Sequence, residues 1–105
     1  GCKNKMTDRF FAVTVLLEKE ADVVHQLKTL PELFKVAGSL KPFEVRRDDR
    51  GFKVGDTLWL QEWTEAGGYT GLSKKYKVSY ILRGEEWGIM MGFCVMGLEQ
   101  DVRVR

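Results

Sequence analysis

Charged side chains are concentrated in residues 41–56, which read KPFEVRRDDRGFKVGD and hold five cations and four carboxylates. The first part alternates apolar and charged residues, which is typical of a β-strand that buries one pair of side chains and presents the other. Phe43 and Val45 form one pair, and Glu44 and Arg46 form the other. Charges fixed on one face of a strand would suit a charged ligand.

Glu44 and Arg46 allow two interpretations. In the first, Arg46 binds phosphate or a base edge through paired hydrogen bonds, and Glu44 accepts a hydrogen bond from a base amino group or orients Arg46. In the second, the two side chains pair with each other or with Asp49 and Arg50. Exposed pairs of that kind contribute only about 0–1 kcal/mol to stability. The residue types alone leave both interpretations open.

Further side chains suited to a nucleic-acid ligand lie outside this run. Lys28 supplies an ammonium group, and Tyr69 precedes Thr70 in a glycine-rich segment. Tyr69 could stack on a base, which contributes about 1–3 kcal/mol in single-strand binders, or it could cover the end of a barrel. His25 is the only histidine. A single histidine is more often packed or hydrogen-bonded than catalytic.

The sequence indicates neither a metal centre nor a cofactor site. Cys2 and Cys94 lie far apart without metal-ligand spacing, and Cys94 falls in an apolar run that predicts a buried small hydrophobe. Gly67 and Gly68 lack the lysine and hydroxyl residue that a phosphate-binding loop requires. Two cysteines do not make a disulfide framework, so we expect a cytoplasmic protein.

The composition predicts one small globular domain that does not enter a membrane. The chain has 105 residues, of which 44% are hydrophobic and 30% charged, and twelve are aromatic. The longest apolar stretch, residues 10–17, is too short to cross a bilayer. The net charge of +2 does not by itself indicate nucleic acid. Residues 66–84 carry four cations and no acid, which fits either a basic patch or an ordinary solvated surface.

Periodicity and β-propensity predict several short strands with turns between them. The apolar run at 93–98 is nearly continuous, which favours a strand buried on both faces. We expect strands at residues 9–18, 23–27, 43–47, 57–63, 76–82 and 93–98, with a glycine-rich loop at 66–71 and another loop at 83–92.

One short helix is predicted after the second of these strands. Thr29 and Glu32 have the spacing of a capping box, and Pro31 is tolerated in a first helical turn. Gly38 is the expected end of the helix. Together the elements favour a mostly β (α+β) fold, a small β-barrel with one short helix packed near its opening.

Residues 25–98 resemble the ASCH superfamily, whose small β-barrel is similar to the PUA RNA-binding domain, and in particular a short branch found in bacteria and phages. The resemblance depends on motifs in a fixed order: His25-Gln26-Leu27-Lys28, Pro31 and Phe34, Gly38-x-x-Lys41-x-Phe43-Glu44-Val45-Arg46, Asp49-Arg50-x-Phe52-x-Val54-Gly55-Asp56, Glu62-Trp63, Tyr69-Thr70-Gly71, and the late strands at 78–82 and 92–98.

The resemblance implies a PUA-like domain, which we place at residues 23–105. Residues 1–22 lie mostly outside the resemblance, and we expect them to form a tail and an extra strand. It implies a cleft between helix and barrel that binds RNA or a nucleotide, without a cofactor. The motif Gly38-x-x-Lys41-x-x-Glu44-x-Arg46 would line that cleft. The expected binding residues are His25, Lys28, Lys41, Glu44, Arg46, Arg50, Tyr69 and Thr70.

Two other functions stay open at this point. Some ASCH relatives resemble ribonucleases or amidohydrolases of modified nucleosides, and such an enzyme would use Lys41, Glu44 and His25. The amidohydrolases place a threonine three residues after their lysine, where this chain has Glu44. The other alternative is an accessory factor of phage or mobile-element origin that binds a protein partner through the strand at 9–18.

Overall fold

The computed structural model describes residues 23–101, which form five strands and one helix. The predicted strand at 9–18 and the domain boundary at residue 22 lie outside the described residues. The elements are β1 (Val24–Thr29), α1 (Pro31–Val36), β2 (Phe43–Arg47), β3 (Thr57–Thr64), β4 (Gly68–Arg83) and β5 (Phe93–Gln100). The prediction of a mostly β fold with one early helix is confirmed.

All five strands belong to one sheet with the order β1-β3-β4-β5-β2. β1 runs parallel to β3, and the other neighbours are antiparallel. The sheet curls into a half-barrel, so that its edge strands β1 and β2 approach each other. Side chains of Arg46 and Arg50 span the gap and donate hydrogen bonds to backbone carbonyls of β1. In the described range the two edge strands are therefore linked by side chains rather than by a backbone ladder.

The core lies on the concave face of the curled sheet. In β1 the side chains alternate between exposed and buried, and His25, Leu27 and Thr29 point inward. Leu58 and Leu60 of β3, which pair with His25 and Leu27, are fully buried. The apolar core comprises Leu27, Phe34, Ala37, Phe52, Leu58, Leu60, Val78, Cys94 and Met96. Full burial of each large side chain contributes about 1.5–3 kcal/mol.

β5 does not bury both of its faces, contrary to the prediction for residues 93–98. Cys94 and Met96 are fully buried on the concave face, whereas Phe93 and Val95 are half-buried on the convex face. The reason is that the described sheet curls around its own core, so only one face of each strand is packed.

β2 also packs only one of its faces against the core, and this decides which residues of the charged run are buried. Glu44 and Arg46 are paired with Met96 and Cys94 of β5, which point into the core. Glu44 is consequently only 3% exposed, while Phe43 and Val45 are 41% and 50% exposed. The charged pair therefore faces inward and the apolar pair faces outward.

The helix begins without the predicted cap. Thr29 is the last residue of β1, and its hydroxyl donates to the Leu27 carbonyl. The N-cap is Leu30, which makes no side-chain cap hydrogen bond, so Thr29 and Glu32 do not form a capping box. Gly38 follows the helix with a φ of +83°, as expected for a residue that ends one.

Cations of β4 hold the helix and the turns. The Lys74 ammonium donates to the carbonyls of Phe34 (2.6 Å) and Ala37 (3.3 Å), where a positive charge complements the end of a helix. Arg83 donates two 2.7 Å hydrogen bonds to the Asp48 carboxylate. Lys77 donates to the Gly55 carbonyl. Three of the four cations of residues 66–84 thus form hydrogen bonds with the protein itself.

The segment 66–71, predicted as a loop, is partly strand, because β4 begins at Gly68 and pairs with the end of β3. Across residues 23–101, no helix has the length and apolar character needed to cross a membrane.

Gly38→Ala is expected to lower the free energy of unfolding by about 2–4 kcal/mol, because alanine is strained at positive φ and its Cβ would overlap the Tyr76 hydroxyl. Urea denaturation followed by tryptophan fluorescence measures the change. The control is Gly51→Ala, where φ is +66° and no atom beyond the adjacent residues lies within 4 Å of the new Cβ, so only about 1–2 kcal/mol is lost. Equal losses in the two variants would contradict the packing argument.

Candidate functional site

A buried carboxylate lies at the centre of the charged run. Glu44 Oε2 accepts a 2.7 Å hydrogen bond from Lys41 Nζ, and Glu44 Oε1 accepts a 2.9 Å bond from Arg46 Nε. Lys41 also donates to the Phe43 carbonyl at 2.7 Å. A buried charge is tolerated only when it is paired and hydrogen-bonded, as Glu44 is here. The three side chains form one charged cluster, which we call the Glu44 cluster.

Arg46 extends this cluster to the opposite edge of the sheet. Its Nη2 donates to the Lys28 carbonyl at 3.0 Å and to the Thr29 hydroxyl at 3.2 Å. Arg50 Nη1 donates to the Gln26 carbonyl at 2.7 Å. These contacts satisfy two carbonyls that an edge strand would otherwise leave without a protein partner. We call this arginine-bridged line between β1 and β2 the seam.

A first cleft opens between the helix and the seam and has a volume of about 410 Å³. Leu30 and Leu33 form an apolar wall, and the Glu44 cluster forms a charged floor. The lining residues are Lys28, Thr29, Leu30, Leu33, Lys41, Glu44, Val45 and Arg46. The volume falls within the range of small-molecule sites. We call it the helix cleft.

A second cleft of about 300 Å³ lies further along the seam. Its lining residues are Leu27, Val45, Arg46, Arg47, Asp49, Arg50, Phe52 and Phe93. Val45 and Arg46 border both clefts. Three arginines and one aspartate line it, so its lining carries a net positive charge. We call it the arginine cleft.

The Glu44 cluster keeps hydrogen-bonding capacity for a ligand. Among the described residues, Arg46 Nη1 has no acceptor, and Lys41 uses two of its three N–H groups. Each Glu44 oxygen accepts one bond, although a carboxylate offers about four acceptor positions. The floor can therefore donate to phosphate or base oxygens and accept from an amino group.

The structure brings four of the predicted binding residues together in the helix cleft: Lys28, Lys41, Glu44 and Arg46. Arg50 lines the neighbouring arginine cleft. Of the two interpretations of Glu44 and Arg46, their mutual pairing is observed, and it leaves a cleft beside the pair. Within residues 23–101, Glu44 forms no ion pair with Arg50, which lies near Asp49 instead.

Tyr69 and Thr70 line neither cleft. Tyr69 is exposed and lies opposite Trp63 where β3 and β4 meet, and the Thr70 hydroxyl donates to Glu62 at 2.8 Å. The Lys28 ammonium lies 4.5 Å from the centre of the Trp63 ring. Among the described residues, the Tyr69 side chain therefore lies outside the lining of both clefts.

His25 is a packed, hydrogen-bonded residue and does not line the helix cleft. Its Nε2 lies 2.8 Å from Asp56 Oδ2, and its ring meets that of Phe52 edge-on at 4.7 Å. Asp56 also accepts from the Lys53 backbone amide, as a turn residue does. Of the residues named for the enzyme alternative, Lys41 and Glu44 are in contact, but His25 contacts Asp56 instead.

Sequence reasoning missed several lining residues. Leu30 and Leu33 form the cleft wall, and their spacing of three residues was the available sign of a common helical face. Arg47 and Phe93 are cross-strand partners, which no local pattern reveals. The alternation of β2 predicts that Arg47 and Phe43 share a face, but not that this face borders a cleft.

The described residues show no metal centre and one buried thiol. Among residues 23–101, no group of three or more His, Cys, Asp or Glu residues could hold a metal ion. Cys94 is a buried free cysteine, as predicted. Burial raises the pKa of the Cys94 thiol, so it stays protonated at neutral pH.

A known protein family includes the part of the chain that forms both clefts. The model of the DUF3850 family, described as a domain of unknown function, matches residues 24–98. The chain belongs to this family. No curated protein matches the chain. The DUF3850 match starts at the first residue of β1 and ends within β5, so both clefts are parts of the DUF3850 domain itself.

Glu44→Gln is expected to destabilise the protein by about 3 kcal/mol, because two cations lose their shared carboxylate and the amide group faces a donor. Urea denaturation measures the change. The exposed Glu65→Gln is the matched control and should stay within about 0.5 kcal/mol of the parent. Identical unfolding midpoints for Glu44→Gln and the parent would show that the Glu44 cluster does not hold the seam.

Proposed function

We propose that this DUF3850 domain is an ASCH-like, PUA-like domain that binds RNA or a nucleotide in the helix cleft. The observation that carries the proposal is the Glu44 cluster at the floor of a nucleotide-sized cleft with an apolar wall. A buried ion pair is weak evidence for a stabilising role, since apolar residues of similar volume often stabilise as well or better. A binding role explains why charged residues occupy this inward face.

The charges of the helix cleft favour an anionic ligand. Lys28, Lys41 and Arg46 line it together with the single carboxylate of Glu44. Among the described residues, the Lys28 ammonium lies over the Trp63 ring and forms no ion pair, so its positive charge is not neutralised by an acid. The net positive charge raises the local concentration of anions such as nucleotides.

The apolar wall and the charged floor of the helix cleft match the apolar face and the polar edge of a nucleobase. Leu30 and Leu33 offer an apolar surface for the face of the ring, and the floor offers donors and an acceptor for its edge. Glu44 can accept from an exocyclic amino group, as carboxylates do with cytosine. Arg46 Nη1 and the third N–H group of Lys41 can donate to ring or phosphate oxygens.

The fold is compatible with the PUA-like part of the proposal. A curled five-stranded sheet with a short helix beside its open seam is the arrangement expected of a small barrel whose ligand lies between helix and strands. The enzyme alternative gains no specific support, because His25 is engaged with Asp56. The strand proposed for protein binding, 9–18, lies outside the described residues.

A fluorescence anisotropy titration with short single-stranded RNA tests the proposal. We expect about micromolar or weaker affinity that falls as salt rises. Lys28→Gln should weaken binding roughly threefold, because one positive charge that lines the helix cleft is lost. The matched control is Lys75→Gln, whose ammonium also lies over a tryptophan ring, 5.0 Å from that of Trp59, but lines neither cleft.

The control variant should bind like the parent. Absence of binding to RNA and to mononucleotides at low salt would refute the proposal. Equal weakening by Lys28→Gln and Lys75→Gln would show that binding reflects the overall charge and not the helix cleft.

A further inference from the structure

We infer that the arginine cleft binds the phosphate of the ligand whose base occupies the helix cleft. The ligand is then a phosphorylated nucleotide, free or within a chain, rather than a nucleoside. This inference rests on the proposed function of the helix cleft and adds a second subsite to it.

The charge of the arginine cleft fits a phosphate group. Arg46, Arg47 and Arg50 line it, and Asp49 is the single carboxylate among its lining residues. The closest approach of that carboxylate to Arg50 Nε is 4.0 Å, and its side chain is 61% exposed. A pair this long and exposed contributes little and leaves the Arg50 charge largely available. Arginine is the residue best suited to hold phosphate through two parallel hydrogen bonds.

Arg47 is the most available of these groups. Within residues 23–101 it makes neither an ion pair nor a hydrogen bond, and its guanidinium lies 5.2 Å from the centre of the Phe93 ring. The aromatic face restricts the side chain without consuming its five N–H donors. Arg47 is thus a cation held at the rim of a cleft with its hydrogen-bonding capacity intact.

The two clefts are adjacent along one seam. Arg46 borders both, and Arg46 Nη1 has no acceptor among the described residues. At a rise of about 3.3 Å per residue, the backbones of Glu44 and Arg47 lie about 10 Å apart. A base and its own or an adjacent phosphate are joined by a ribose, so a single ligand can occupy both clefts.

Calorimetric titration of the full chain with nucleosides, the matching nucleoside monophosphates and short single-stranded RNAs of each base tests the inference. We expect the phosphorylated ligands to bind at least about tenfold more tightly than the nucleosides. A gain with both monophosphate and RNA identifies any phosphate as the ligand group. A gain with RNA alone identifies a phosphodiester within a chain. Either result supports the inference that the arginine cleft binds phosphate.

Arg47→Gln is the decisive variant, because it removes a charge without breaking an observed hydrogen bond. It should weaken the binding of phosphorylated ligands roughly threefold to tenfold and leave nucleoside affinity unchanged. It should also reduce the slope of log affinity against log salt concentration for RNA by about 0.7. Lys75→Gln is the control and should change none of these.

The failures of the two proposals are distinguishable. If nucleosides bind as tightly as nucleotides and Arg47→Gln has the same affinities as the parent, the proposed phosphate site in the arginine cleft is refuted. The proposal for the helix cleft is unaffected by that result. Equal losses in Arg47→Gln and Lys75→Gln would also refute the phosphate site. No binding of any nucleoside, nucleotide or RNA would overturn both.

Discussion

The hydrogen bonds that Glu44 accepts from Lys41 and Arg46 constrain the rest of the structure. Withdrawing a carboxylate from water costs several kcal/mol, which two cations and their hydrogen bonds offset. Because Glu44 fixes Arg46 Nε, the far end of the guanidinium is directed to the Lys28 carbonyl on the opposite edge strand. One inward carboxylate thereby joins β2 to β1, sets the floor of the helix cleft and separates it from the arginine cleft.

The positions of most strands could be predicted from the sequence, because alternation and turn residues are local properties. Residues 43–47 and 57–63 were predicted as strands and are β2 and β3. Which face of β2 is buried could not be predicted from alternation, which defines two faces but does not rank them. The register with β5 decides it, since Glu44 lies opposite the core residue Met96.

From residue spacing alone, the contacts of the site are predictable only where they are local. Lys41, Glu44 and Arg46 are separated by two or three residues, so their meeting follows from a short strand and the turn before it. The Arg50 contact with Gln26 spans 24 positions, and the His25 contact with Asp56 spans 31. Such contacts depend on how the sheet curls, and no periodicity in a single sequence encodes them.

The helix cleft takes its apolar wall and its charged floor from different elements. Leu30 and Leu33 belong to the helix and its N-cap, while Glu44 and Arg46 belong to β2. Substitutions at the two leucines can reshape the apolar wall without disturbing the ion pairs of the Glu44 cluster. The shape of the helix cleft can thus change while the scaffold is retained.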